Sequence, residues 1–124
     1  MRLSEEAFAE VVDEAVRSIP EGFHRYLEEA VIDVEDMPDR ATCQDLGLDD
    51  PRTLLGLYRG VPLTDRHVEA PYRYPERIVI YQRNLERICR SKRQMVRQIR
   101  RTVLHEIGHH FGLDERQLRE LGYG

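Results

Sequence analysis

The segment Leu104–Glu115, LHEIGHHFGLDE, holds three histidines and three carboxylates. His105 and His109 stand four residues apart. On a helix that spacing brings two imidazoles to one point, at about the separation a zinc ion asks of two nitrogen ligands. Glu106 projects beside that point, where a carboxylate can hydrogen-bond a metal-bound water rather than the metal itself. One Zn2+ ion held there would bring the water's pKa toward neutrality and polarise a carbonyl. Glu106 would accept the proton as general base while the water attacks that carbonyl. The competing plain interpretation is a solvated histidine pair at a helix end.

This chemistry needs a helix, and residues from about Ser91 to Phe111 supply the pattern for one. Val96, Ile99, Val103 and Ile107 fall on one stripe at 3.6-residue periodicity, which should face the core. His105 and His109 lie roughly opposite that stripe, with Glu106 to one side. His110 lies close to the stripe and reads as a core histidine or as support for the metal ligands. Arg90, Arg93, Arg97, Arg100 and Arg101 cluster on one flank. Gly112 supplies the left-handed residue that stops the helix.

The elements before it are shorter. Ser4 is a fair N-cap, with Glu5 and Glu6 placed where the helix dipole favours negative charge. Phe8, Val11, Val12, Ala15, Val16 and Ile19 then recur at helical spacing, and Pro20 marks the stop. Phe23, Tyr26 and Leu27 suggest a short helical turn. Ala30–Glu35 is β-branched and partly alternating, a strand; residues 54–59 and 78–81 read as two more. Residues 36–53 read as a loop with at most one helical turn, and residues 60–75 as a long loop with three prolines. The fold class is therefore α+β: a small mixed sheet of three to four strands packed against an N-terminal helix and the long motif helix.

Length and composition bound the rest. The chain has 124 residues, 40% hydrophobic and 34% charged, enough for a single domain spanning residues 1–124 and polar enough to stay in solution. No apolar run approaches the ~20 residues a spanning helix needs. The charged N-terminus argues against a secretory signal, and only Cys43 and Cys89 could form a disulfide, so reduced thiols and a cytoplasmic location are expected. The net charge of −4 conceals an asymmetry. Residues 1–50 carry 15 acids and 4 bases; residues 51–124 carry 8 acids and 15 bases. In one domain the two halves should attract each other.

Three stretches, LLGLYRGVPLTDR, YPERIVIYQRNLERI and LHEIGHHFGLDERQLRELGYG, make the chain similar to the minimal zincin-like metallopeptidases, a family of small bacterial proteins related to the metzincins. The resemblance spans most of residues 20–124. It implies an α+β fold with a sheet on the motif helix, a shallow metal-binding cleft and proteolytic activity. His105 and His109 match the histidine ligands, Glu106 the base and Gly112 the turn. The pattern HExxHxxGxxD places the third ligand at Glu115, with Asp114 one residue early. Asp114-x-x-Gln117 has the form of a capping box, which favours Glu115 as the ligand; in the other register Asp114 reaches the metal. Only nine residues follow Glu115 and none is methionine, so the methionine turn of metzincins is missing and the cleft has little lower wall.

An edge strand above the metal would hold a peptide by strand addition, and Ile78–Tyr81 is the expected strand. Tyr58 and Arg59 stand on its expected neighbour. An exposed tyrosine or arginine could stabilise an oxyanion, with Tyr72, Tyr74, Tyr81 and Tyr123 all candidates, and His67 is a loop histidine that could add a ligand. The expected partner is a peptide or protein substrate, with no membrane; the oligomeric state is open. The alternative is a catalytically weak or inactive zincin-like domain that binds metal and serves in interactions. Residues 83–101 contain eight bases and one acid. Nucleic acid is nevertheless disfavoured, because the whole chain is acidic and the basic face reads as solvated or neutralised by the acidic half.

Overall fold

The computed structural model describes residues 1–59 and 76–120. The 60–75 loop, with His67, Tyr72 and Tyr74, and the terminal Tyr123 lie outside the described residues.

Ser4 caps the first helix, α1 (Glu5–Arg17), its hydroxyl accepting the Ala7 N–H at 3.1 Å. Phe8, Val11, Val12 and Ala15 are its buried face. A 3-10 turn at Glu21–Phe23 leads into the short α2 (His24–Leu27), and β1 (Ala30–Glu35) keeps its expected bounds. The stretch 36–53 is more ordered than its composition suggests. It holds α3 (Arg40–Leu46), where Asp39 Oδ1 accepts the Thr42 N–H at 2.8 Å and Gly47 ends the helix at φ 66°. Two end signals define a helix too short to show periodicity.

β2 (Gly56–Arg59) and β3 (Glu76–Tyr81) complete a three-stranded sheet in the order β1-β3-β2. β1 runs parallel to β3 and β2 antiparallel to it. One expectation is corrected here: Ile78–Tyr81 is in the central strand, and β2 is the edge beside it. Ile78, Val79, Ile80 and Tyr81 are all buried, the continuous apolar run of a strand covered on both faces. Tyr81 is thereby removed as an oxyanion donor.

α4 (Gln82–Ile88) follows β3 directly and has no counterpart in the sequence pattern. Leu85 joins the core, but the other three buried residues of α4 are polar, and each is satisfied from far along the chain. Asn84 Nδ2 donates to the carbonyls of Pro51 and Leu54 at 2.8 and 2.6 Å. Gln82 Nε2 donates to the Leu3 carbonyl at 3.1 Å, and Glu86 accepts the Leu3 N–H at 2.6 Å.

α5 (Lys92–His110) is the long helix, with Ser91 Oγ accepting the Gln94 N–H at 3.1 Å. Ile99, Val103 and Ile107 are fully buried and Val96 half-buried, as the stripe requires. α1 packs against α5, so that Phe8 and Ala15 share one core with Ile78, Ile80, Leu85 and Ile107. α6 (Glu115–Glu120) folds back, with Leu118 over Gly108. Among the described residues no helix is long and apolar enough to cross a membrane.

Candidate active site

The exposed side of α5 carries His105 and His109, as their positions opposite the core stripe require. Their ring centroids are 4.2 Å apart and the planes tilted by 54°. Two adjacent, solvent-facing imidazoles are a nitrogen-donor pair of the kind zinc takes. The chain thus offers half of a tetrahedral donor set on one helical turn.

The next row of the helix faces the edge strand. Thr102, Glu106 and His110 follow one another at four-residue intervals, and each meets β2. Gly56 approaches so closely that a Cβ there would lie 2.5 Å from Thr102 Cγ2. Two residues on, the Tyr58 N–H donates to Glu106 Oε2 at 3.2 Å. The His110 ring stacks on the Tyr58 ring, centroids 3.8 Å apart and planes within 11°. Glu76, at the start of β3, completes the cluster: its carboxylate accepts the Tyr58 hydroxyl, and its Oε1 lies 3.2 Å from His110 Nε2. Leu55 passes its carbonyl to the Tyr81 N–H, so by strand alternation Tyr58 directs its own N–H away from β3 and onto the motif helix.

His110 is therefore not a core histidine. It lies just beyond the apolar stripe, where the helix meets β2 rather than α1, and its ring is held between Tyr58 and the edge of Phe111. Glu76 and Gly56 are the residues that sequence reasoning missed, and Tyr58 was singled out there without its bond to Glu106. A glycine inside a strand was the one available signal, since it marks a close approach of backbone to a neighbour.

Burial raises the Glu106 carboxyl above its ordinary range, against the opposing pull of the Tyr58 N–H and of the two nearby imidazoles. A carboxylate moved toward neutrality is a stronger base than an exposed one, which suits proton abstraction near physiological pH. Its pairing with the edge strand also fixes where it points.

The end of α5 is built as its glycine requires. Gly112 adopts φ 65°, and the Leu113 N–H donates back to the Gly108 carbonyl at 2.8 Å. The capping box then forms in both directions: Gln117 N–H to Asp114 Oδ1 at 2.8 Å, and Asp114 N–H to Gln117 Oε1 at 2.9 Å. Asp114 is thus engaged in holding α6, while Glu115 is exposed on its first turn. Neither stands with His105 and His109 in a metal-sized cluster: among the described residues no three His, Cys, Asp or Glu side chains group in that way.

A family model described as zincin-like metallopeptidase matches residues 27–124. A search of curated proteins found no match. The match takes in all three strands, the motif helix and the capped turn beyond it, leaving α1, the 3-10 turn and all of α2 but Leu27 outside. With an imidazole pair facing solvent and a half-buried glutamate tied to an edge strand, this chain belongs to the zincin-like metallopeptidase family.

Proposed function

We propose that the protein is a zinc-dependent peptidase in which His105, His109 and Glu115 hold one Zn2+ ion and Glu106 is the general base. When bound, the ion supplies a Lewis acid that acidifies water and polarises a carbonyl. The chain's own residues do the rest. Glu106 takes the proton of the attacking water on its carboxylate and can return it to the leaving amine. The Tyr58 N–H orients that carboxylate, and the stack of Tyr58 on His110 keeps β2 seated so that the orientation persists. The observation that carries this proposal is the hydrogen bond between Tyr58 and Glu106, which aims a half-buried acid beside two exposed nitrogen donors.

The test is Glu106→Gln. It should retain stoichiometric zinc and lose hydrolysis of an unfolded peptide by roughly a hundredfold or more. A variant as active as the parent would rule out this mechanism. A second proposal is motivated by the lack of a third donor clustered with the histidines among the described residues: a zincin-like domain that binds metal weakly and serves in interactions. It predicts bound zinc with no turnover across a broad peptide library, and cleavage of a single library member excludes it. A cytoplasmic site of action belongs with both proposals, the two cysteines being free thiols.

A further inference from the structure

α5 carries a second feature on its exposed side. Arg93, Arg97 and Arg101 recur every four residues, and His105 and His109 continue the same row. All five are exposed. Residues at this spacing are neighbours on a helix surface, each turned about 40° from the last, so three guanidinium groups form an oblique ridge that leads up to the imidazole pair.

Like charges placed in this way weaken a helix. Among the described residues none of the three has a carboxylate partner, whereas Arg52, Arg59, Arg77, Arg83 and Arg116 each have one. Acids are not scarce: the chain has 23 against 19 bases. The row is unpaired because of where it lies. All three residues are arginines, whose planar fork takes a carboxylate in two parallel hydrogen bonds.

We infer that Arg97 and Arg101, with Arg93 beyond them, receive the acidic side chains of a peptide lying across His105 and His109. Helical rise sets the spacing. Arg101 stands about 6 Å and Arg97 about 12 Å along the axis from His105. An extended peptide advances about 3.3 Å per residue. The substrate class is then a peptide with carboxylates about two and four residues to one side of the bond cut. This inference rests on the peptidase proposal above for what happens at that bond. A nucleic acid fits less well. The row has no phenylalanine, tyrosine or tryptophan on which bases could stack, and α1, packed against α5, exposes Glu6, Glu10, Asp13 and Glu14 to a broad phosphate backbone.

The test is fluorescence anisotropy with the zinc-free full chain and three probes: a labelled alanine–glutamate peptide, its alanine–glutamine counterpart and a random-sequence DNA duplex. The glutamate peptide should bind roughly tenfold tighter than the glutamine one, and added salt should erode the difference. Arg97→Gln/Arg101→Gln should abolish the preference. Arg97→Glu/Arg101→Glu should transfer it to an alanine–lysine peptide, which a misfolded variant would not do. Equal binding of the glutamate and glutamine peptides, no binding of either, a preference that survives the glutamine variant, or tighter binding of the duplex would each overturn the inference. Zinc-loaded protein that cleaves acidic and neutral peptides equally well would overturn it too, while leaving the peptidase proposal standing.

Discussion

Glu86 shows how a single buried charge ties the N-terminus to the fold. Its carboxylate is almost fully buried and accepts hydrogen bonds from the Leu3 N–H and from Arg83 Nη1, each at 2.6 Å. Burial by itself would raise its pKa, but the bonds from Leu3, Arg83 and Gln82 outweigh burial and hold it below the ordinary value. A carboxyl depressed in the native state stabilises the fold above its unfolded pKa, about 4.3, and that contribution is lost as pH falls through the lower native value. Glu86→Gln should therefore cost about 2 kcal/mol in urea unfolding at neutral pH. The gap between variant and parent should close in acid below that native value; a gap unchanged in acid would show that the charge is not the cause. Residues of this kind are illegible in a sequence, because the partner that ties Glu86 to the N-terminus, Leu3, lies 83 positions away. The histidine pair was legible for the opposite reason: its whole geometry is contained in one helical turn. Of the two readings of His110, four residues from Glu106, the core one fails, because angular position on a helix does not say which neighbour covers that angle.

At the scale of elements, the contact between β2 and α5 determines whether Glu106 is aimed. Gly56 permits it: an added methyl would meet Thr102 Cγ2 at 2.5 Å and the Val79 carbonyl at 3.1 Å. Threonine is branched at Cβ and cannot swing that methyl aside freely. Gly56→Ala should destabilise the protein by about 1–3 kcal/mol. Thr102→Ser removes the obstructing methyl, so the same glycine change should cost less in that background. A double-mutant cycle in thermal unfolding checks this, and additive costs would mean that the two elements are not in contact there. Helices and strands with apolar periodicity were legible, β1 to the residue and α5 to within one. α4 was not, because Gln82, Asn84 and Glu86 face inward and are satisfied by distant backbone and side chains rather than by apolar packing. Strand order was not legible either. Ile78–Tyr81 has the run of a buried strand, yet nothing local says that β2 lies outside it.

Across the whole molecule, the acidic and basic halves meet at the sheet. Asp33 and Arg77 pair at 2.6 Å, Glu35 and Arg59 at 3.6 Å, and Asp36 and Arg83 at 3.8 Å. The attraction anticipated from charge asymmetry is thus spent on β1 and its neighbours, and the arginine row of α5 is left to solvent. Solvated was one of the two outcomes expected for that face. The third metal ligand is where whole-molecule thermodynamics can decide between residues. An ion that binds only the native state stabilises it by mass action, about 2.7 kcal/mol at roughly a hundredfold excess over Kd, or on the order of 10 °C in Tm for a chain of this size. Zinc should produce that rise in the parent, and a chelator should reverse it. His105→Ala/His109→Ala should melt at nearly the parent's metal-free temperature and show no rise. If Glu115 is the third ligand, Glu115→Ala should leave the metal-free Tm nearly unchanged and shrink the zinc increment. Asp114→Ala should do the reverse: losing the cap of α6 costs about 1 kcal/mol with or without metal, and the increment survives. Should the increment vanish with Asp114 and persist without Glu115, the aspartate would have to leave its capping box to reach the ion. The bond from the Gln117 N–H would then break on metal binding, and that amide should lose its protection from hydrogen exchange.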